Sequence, residues 1–371
     1  MNVLTERSTG RFDESGLTVT YPNDAFHAAP RRLRPDADVL AAYDTIVRNA
    51  VKQRAASLGQ VVVEVSGGLD SANVAVSLAR LADRPVASYG LIVGGAPGAQ
   101  QRQRRTELIN LLGLNDLTVD ALDWLPLCPK GRRVAGEVFW PFDEPYSEAI
   151  GAALAQCTEA GKTIVYTGIG GDELMSLREF ERSPRPVDMQ PELGRLLTDH
   201  GRSLLDSQYP AAPAPVIPEP SLLAFACRSP VFLRAGVWPV SPLCAPEMVR
   251  FCEWLPVEWR RGRRLHRQRL TDAGIPSGWV EPALRENFAP VMAQAMTEHG
   301  RRLADALLPD SLLVQLGLVE PAAVAGRSGT EARAGVDCYE FLNVELGLRR
   351  LLRLAVPDGW VSEARSRLAT P

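Results

Sequence analysis

Residues 61–80 read VVVEVSGGLDSANVAVSLAR, and the part able to do chemistry is Ser66-Gly67-Gly68-Leu69-Asp70-Ser71. A β-branched run ends in two glycines and passes into a helical pattern, so a buried strand turns directly into a helix. That turn is an anion site in outline. The first amides of a helix have no intrahelical acceptor, and its dipole is positive at that end. Gly67 and Gly68 let the backbone approach a phosphate, Ser66 and Ser71 bring hydroxyls, and Asp70 brings a carboxylate for a cation that neutralises phosphate charge. The spacing is not GxxxxGK[ST] and no lysine follows, which excludes a kinase-type phosphate loop. A turn using glycine only for backbone freedom, with Asp and Ser as helix caps, is the plainer alternative. A second strand-to-turn string, IVYTGIGGDEL at 164–174, carries Gly168, Gly170 and Asp172.

Two such turns can share a ligand only if their strands are neighbours. A helical pattern over 38–58 precedes a strand at 60–65. A helix at 71–81, a strand at 86–93 and a loop at 94–98 follow. Then come a helix at 102–112, a strand at 117–122, a helix at 147–160 and a strand at 163–166. Alternating strands and helices imply an α/β fold whose parallel sheet has flanking helices and right-handed crossovers. Both turns then lie at carboxyl ends of strands, where open α/β sheets bind ligands.

Four segments are expected: an arm over 1–37 with a short strand near 17–21; an ATP-binding α/β half over 38–182; a proline-rich excursion over 183–220 around a short helix at 191–205; and a helical half over 221–371. In that last part helices are expected at 244–255, 264–273, 289–306, 310–316 and 335–354.

Composition narrows the classes. With 371 residues, 46% of them hydrophobic, the chain can bury a real core. Its 41 Lys+Arg against 44 Asp+Glu, net −3, lacks the basic footprint of a nucleic-acid binder. Only Lys52, Lys130 and Lys162 are lysine. The six cysteines form no CxxC pair and there are four histidines, so zinc and thioredoxin-type spacings are absent. No apolar leader and no membrane-length apolar run are seen, and the expectation is a reduced, cytoplasmic protein with no membrane partner.

SGGLDS resembles the pyrophosphate loop of the ATP-pyrophosphatase (PP-loop) superfamily. GIGGDEL resembles the SG-x-G-[GS]-DE motif of asparagine synthetases and the β-lactam-forming synthetases related to them. Between the two, WPFDEPYSEA at 140–149 is similar to the DEP segment of those enzymes. Fainter likenesses run on at 240–256 and 284–290, so the resemblance covers about 38–310.

The resemblance implies an AMP- and pyrophosphate-forming amide synthetase that uses ATP and Mg2+. It further implies that Ser66, Gly67, Gly68 and Ser71 cradle the β,γ-phosphates, and that Asp70 and Asp172 hold Mg2+. Val65, Leu91 and Gly168 would contact adenine or ribose, with Gly170 in the same nucleotide-binding turn. Glu144 would position or deprotonate the amine. The implied partners are a small-molecule or peptide carboxylate and an amine. Ammonia, free or from a second protein, is the other nitrogen source, and macrolactam-forming cyclases of peptides are among the relatives.

The chain departs from the family pattern. Residue 2 is Asn2, where the glutamine-hydrolysing members carry cysteine, so glutamine hydrolysis by this chain is not expected. Two family lysines fall on Arg267 and Arg285, each of which keeps the charge and grips phosphate, or else serves as surface charge. Thr271 stands where that lysine motif has arginine. Ile169 stands where β-lactam synthetases carry a catalytic tyrosine, and an acidic residue common in the family is replaced around Gln101. His266, in the run RRGRRLHRQR, reads as a surface or packing residue. A tRNA-modifying PP-loop enzyme and a non-catalytic degenerate relative stay open as alternatives.

Overall fold

The computed structural model describes residues 9–14, 16–20, 32–53, 58–135, 139, 143–175, 196–207, 219–284, 287–325 and 332–352. A short antiparallel hairpin comes first, β1 (Thr9–Asp13) with β2 (Gly16–Thr20), in place of the single strand expected at 17–21. Then α1 (Val39–Lys52) starts on Asp38, whose Oδ1 accepts from the Ala41 amide at 2.9 Å, an N-cap that satisfies one orphan donor. Its apolar stripe, Val39, Tyr43, Val47, Ala50 and Val51, is buried.

The alternation continues as β3 (Val61–Glu64), α2 (Leu69–Leu81), β4 (Ala87–Ile92), α3 (Gly95–Leu112), β5 (Asn115–Asp120), α4 (Ser147–Glu159) and β6 (Ile164–Tyr166). One further strand enters the sheet from the expected helical half: α5 (Glu219–Arg234) leads into β7 (Trp238–Val240). The sheet order is β5-β4-β3-β6-β7, all parallel. Each side chain along a strand faces the opposite layer from its neighbour. Val61 and Val63 join the core under α1 and α2, and Val62 joins the core under α4. Burial on both faces is why VVVEV reads as a continuous apolar run rather than an alternation.

Helix α3 begins earlier than the loop expected at 94–98. Gly98 lies so close to the Val93 carbonyl oxygen that any β-carbon there would overlap it, and Pro97 sits in the first turn, where its missing N–H costs nothing. Beyond β7 the chain is helical: α6 (Pro246–Trp254), α7 (Arg264–Asp272), Ala289–Ala295, Arg301–Leu307, Leu312–Gln315 and α8 (Ala332–Leu351). The helix expected over 289–306 is interrupted by a π-turn at Met296–Gly300. Helices α6 and α7 cover the α1–α2 layer, while α8 and its neighbours form a third apolar cluster around Phe341 and Leu342. Of the proline-rich excursion, Asp199–Ser207 is a helix; 183–195 and 208–218 lie outside the described residues. No described helix is long and apolar enough to cross a membrane.

From β3 the chain runs to β4 and β5 on one side, then returns through α4 to β6 on the other. The direction of winding therefore reverses between β3 and β6. In open α/β sheets the loops diverge at such a point and leave a crevice at the carboxyl ends.

Candidate active site

Both glycine turns open at that crevice. After β3, Gly67 takes φ 93° and Gly68 caps α2. The serines brace this turn from within. Ser71 Oγ accepts from the Ser66 amide at 3.2 Å and lies 3.2 Å from Ser66 Oγ, while Ser66 Oγ accepts from the Gly68 amide at 3.1 Å. The turn thus has its shape before any anion arrives. The amides of Leu69 and Asp70, at the start of α2, have no carbonyl within the helix to bond.

After β6 the second turn folds against the first. A β-carbon on Gly168 would sit 2.6 Å from the Ser71 amide nitrogen, and one on Gly171 would sit 2.6 Å from Asp70 Oδ1. Only glycine permits that approach. Gly170 adopts φ 98°, with the Cys244 thiol packed where a side chain would go. The Thr167 hydroxyl pairs with Ser241 Oγ at 2.7 Å, tying the turn to the end of β7. Val65 and Leu91 are buried at the neighbouring strand ends.

Asp70 and Asp172 come together at one guanidinium. Arg263 Nη1 pairs with Asp172 Oδ1 and stands 3.6 Å from Asp70 Oδ2. Asp172 is mostly exposed and Asp70 mostly covered. Arg263 holds this place from a left-handed backbone (φ 57°) immediately after Gly262 (φ 61°), a conformation that costs a non-glycine residue about 1–2 kcal/mol. Three residues on, His266 is fully buried, stacks on Tyr43 with ring centroids 5.5 Å apart, and places Nδ1 2.8 Å from Asp70 Oδ1.

The sequence pattern singles out neither Arg263 nor His266 for the site. His266 touches the Asp70 carboxylate rather than serving only as surface or packing. The available signal was a lone histidine within a run of arginines. Arg267 points elsewhere, to Glu281 at 3.1 Å on an exposed edge. Arg285 lies outside the described residues, as do Trp140, Pro141 and Phe142 of the segment before Asp143.

Gln101 shows why an acid is not needed at its position. Its Nε2 donates to the carbonyls of Ser66 (2.8 Å) and Leu91 (2.9 Å), and its Oε1 accepts from the Val93 amide (3.0 Å). A buried amide satisfies two carbonyls and one N–H at once; a carboxylate could not donate to either carbonyl.

Glu144 is tied to the end of β3 by a shared cation. Arg228, on α5, reaches Glu64 Oε1 at 2.7 Å and Glu144 Oε2 at 3.5 Å, so two carboxylates share one cation. Burial pushes the Glu144 carboxyl above the usual carboxylate range; nearby Glu64 adds to the rise, and Arg228 opposes it. The backbone around Glu144 is pinned by buried Arg133. It donates to the carbonyls of Glu144 (2.7 Å) and Pro145 (3.2 Å) and to Asn343 Oδ1 (2.8 Å), and it pairs with buried Glu148. Tyr146, one residue beyond Pro145, is pushed up to about 12 by burial and by Glu144.

The comparison with known proteins falls on the same residues. Residues 42–214 match the asparagine synthase family model. The match covers under half of the chain but includes both glycine turns and Glu144. It makes this segment similar to an asparagine synthase-like synthetase domain, and it supports ATP-dependent carbon–nitrogen ligase chemistry as the general class. No curated protein matches the chain. Arg263 and His266 lie outside the asparagine synthase-like segment yet touch its Asp70.

Among the described residues no cluster of three or more His, Cys, Asp or Glu forms a preassembled metal cage. The donor set instead suits Mg2+ carried in with a nucleotide. Mg2+ takes hard oxygen ligands, commonly one or two carboxylates with substrate phosphates completing the shell. That one guanidinium spans Asp70 and Asp172 shows that a single cationic group fits between them.

Proposed function

We propose that this chain is an AMP- and pyrophosphate-forming amide synthetase, working in specialised metabolism, that does not hydrolyse glutamine itself. The observation that carries this reading is the meeting of two glycine turns at the sheet's winding reversal, with Asp70 and Asp172 bridged by Arg263. The family match over 42–214 supports ATP as co-substrate. A tRNA-modifying enzyme has less support, since the chain carries a net charge of −3 and no CxxC pair.

In this reading the triphosphate lies over the Ser66–Ser71 turn, with the α2 amides and Arg263 facing its anionic oxygens. Mg2+ held by Asp70 and Asp172 would neutralise charge on the departing pyrophosphate. A substrate carboxylate oxygen attacks the α-phosphorus as the bond to the pyrophosphate oxygen breaks. An amine or ammonia nitrogen then attacks the acyl carbon, the bond to AMP breaks, and the nitrogen passes its proton to ionised Glu144. A carboxylate with a raised pKa is a better acceptor for that proton than an ordinary one. Because winding order holds both turns in place, catalysis here rests chiefly on positioning and charge placement.

The amine is carried on a small molecule or peptide, or is ammonia supplied by a second protein, and the reaction takes place in the cytoplasm without nucleic acid or membrane. The test is to incubate protein, Mg-ATP and a panel of carboxylic acids with hydroxylamine, then quantify AMP and hydroxamates. Hydroxamate equal to AMP is the expected result. ADP as product, or AMP formation unchanged in Asp70→Asn, removes the reading.

A further inference from the structure

A cavity of about 190 Å3 opens beside the second glycine turn, walled by Ile169, Phe225, Ser229, Phe232, Ser241 and Cys244. It lies at the carboxyl ends of β6 and β7, because Ile169 follows the first strand and Ser241 the second, and α5 lines one side of it with its two phenylalanines while the other side opens to solvent. No charged side chain lines it among the described residues. Its position links the two halves of the site. Ile169 is three residues before Asp172, and Phe232 lies 5.8 Å from the Arg228 guanidinium that pairs with Glu144. Two of the polar walls are already engaged: Ser241 with Thr167, and the Cys244 thiol, which donates to the Ile169 carbonyl.

Size decides what could enter. Pockets that enclose whole drug-sized ligands run from about 300 to 1,000 Å3, so this space takes part of a substrate. A cavity of roughly 150 Å3 is enough for a benzene ring; here Ile169, Phe225 and Phe232 offer such a ring an apolar wall, and Ser229 and Ser241 line the rest. We infer that this cavity holds the uncharged, ring-sized apolar side group of the carboxylic acid, leaving its carboxylate facing the crevice between Asp172 and Glu144. Ile169 then works as an apolar wall against that group. Aspartate and other acids with a second charge are poor substrates, since a charge placed here loses part of its hydration and meets no counter-ion in the lining. The acid's identity in this form rests on the amide-synthetase reading, but the binding site does not.

Saturation-transfer NMR with 3-phenylpropanoate, in the absence of ATP, tests the cavity directly. Ala245 also lines the cavity, and transfer to the ring protons is expected with the wild-type chain, falling at least fivefold in Ser229→Leu and Ala245→Leu, two independent fillings checked for folding by circular dichroism. Equal transfer in wild type and both folded variants, or none in wild type, overturns the inference. The hydroxamate assay supplies the second arm, with at least tenfold more product expected from 3-phenylpropanoate than from aspartate. A preference for aspartate overturns the cavity assignment and leaves the synthetase reading standing. Ring binding without AMP from any acid supports the cavity and removes the synthetase reading.

Discussion

His266 Nδ1 lies 2.8 Å from Asp70 Oδ1, joining α7 to a turn 196 residues earlier in the chain. The imidazole is sandwiched against Tyr43 and fully buried, so its orientation is set by packing, and Asp70 is held in turn by the imidazole. His266→Ala removes both the stack and the hydrogen-bond partner of Asp70 Oδ1, leaving only the longer pairing with Arg263. Losing a buried hydrogen-bond partner costs about 1–3 kcal/mol, measurable by urea denaturation. AMP formation is expected to fall at least tenfold, because Asp70 is no longer fixed. A variant with wild-type AMP formation at temperatures where it is folded would show that the contact is structural only.

Arg263 and a metal ion compete for the same two carboxylates. Arg263→Ala should therefore bind Mn2+, followed by electron paramagnetic resonance without nucleotide, several-fold more tightly than wild type. The same variant should need more ATP for half-maximal AMP formation, since a phosphate-facing cation is gone. Arg267→Ala is the contrast. Its partner Glu281 is largely exposed, and an exposed pair of this kind is worth about 0–1 kcal/mol, so its folding stability in the ligand-free state should barely move. Unchanged Mn2+ affinity in Arg263→Ala contradicts the competition.

The contact between the two turns depends on glycine. Gly168→Ala would drive a methyl into the Ser71 amide, and Gly171→Ala would drive one into the Asp70 carboxyl. Neither obstacle is the flexible end of a long side chain, so the turns must separate, with a cost of about 1–3 kcal/mol as in other overpacked sites and loss of AMP formation. Gly151→Ala in α4 meets nothing within 4 Å. There the substitution should stabilise by about 0.5–1 kcal/mol through helix propensity alone, read as a rise in Tm.

What the sequence made legible was local. The buried run at 61–65 and the string at 164–174 carry their strand-turn-helix pattern in consecutive residues, and the structure puts both turns at carboxyl strand ends as expected. Strand β7 was missed because it is three residues long, contains Pro239, and lies at the sheet edge with Trp238 exposed, so no periodicity marks it. Arg263 and His266 were missed for a different reason. Their partners lie 91 to 196 positions away, and a run of arginines looks the same whether it faces water or a carboxylate. Gln101 shows the same limit, since its value lies in three backbone groups that only the folded strand ends bring together.

Arg133 supports the Glu144 loop from below. It is fully buried with Glu148, and the two side chains form an ion pair next to the carbonyls that Arg133 holds. Removing one member of a buried pair leaves an uncompensated charge and costs about 3–5 kcal/mol. Arg133→Met is expected to lose that much in denaturant titration. The double substitution Arg133→Met with Glu148→Leu should recover most of the stability, because no buried charge is left, but not the AMP-forming activity, because the carbonyls of Glu144 and Pro145 still lack their donor. Recovery of both would show that Arg133 matters only as a counter-charge.

Glu144 sets the pH dependence. Burial and Glu64 raise its pKa, while Arg228 lowers it. Only the ionised carboxylate can take the amine proton, so kcat/KM should be highest above that pKa and fall as pH drops through it, with the midpoint above an ordinary glutamate. The direction of each neighbour's effect fixes two further outcomes. Glu64→Gln removes a negative charge, so the midpoint should move to lower pH. Arg228→Met removes the opposing cation, so the midpoint should move to higher pH and the protein should lose activity near neutrality first. Glu144→Gln should abolish the acid limb and reduce amide formation by about 10²–10⁴-fold, the usual scale for a lost general base, while leaving hydroxamate-trappable adenylation largely intact. If both charge variants shift the midpoint the same way, Glu144 is not the titrating group.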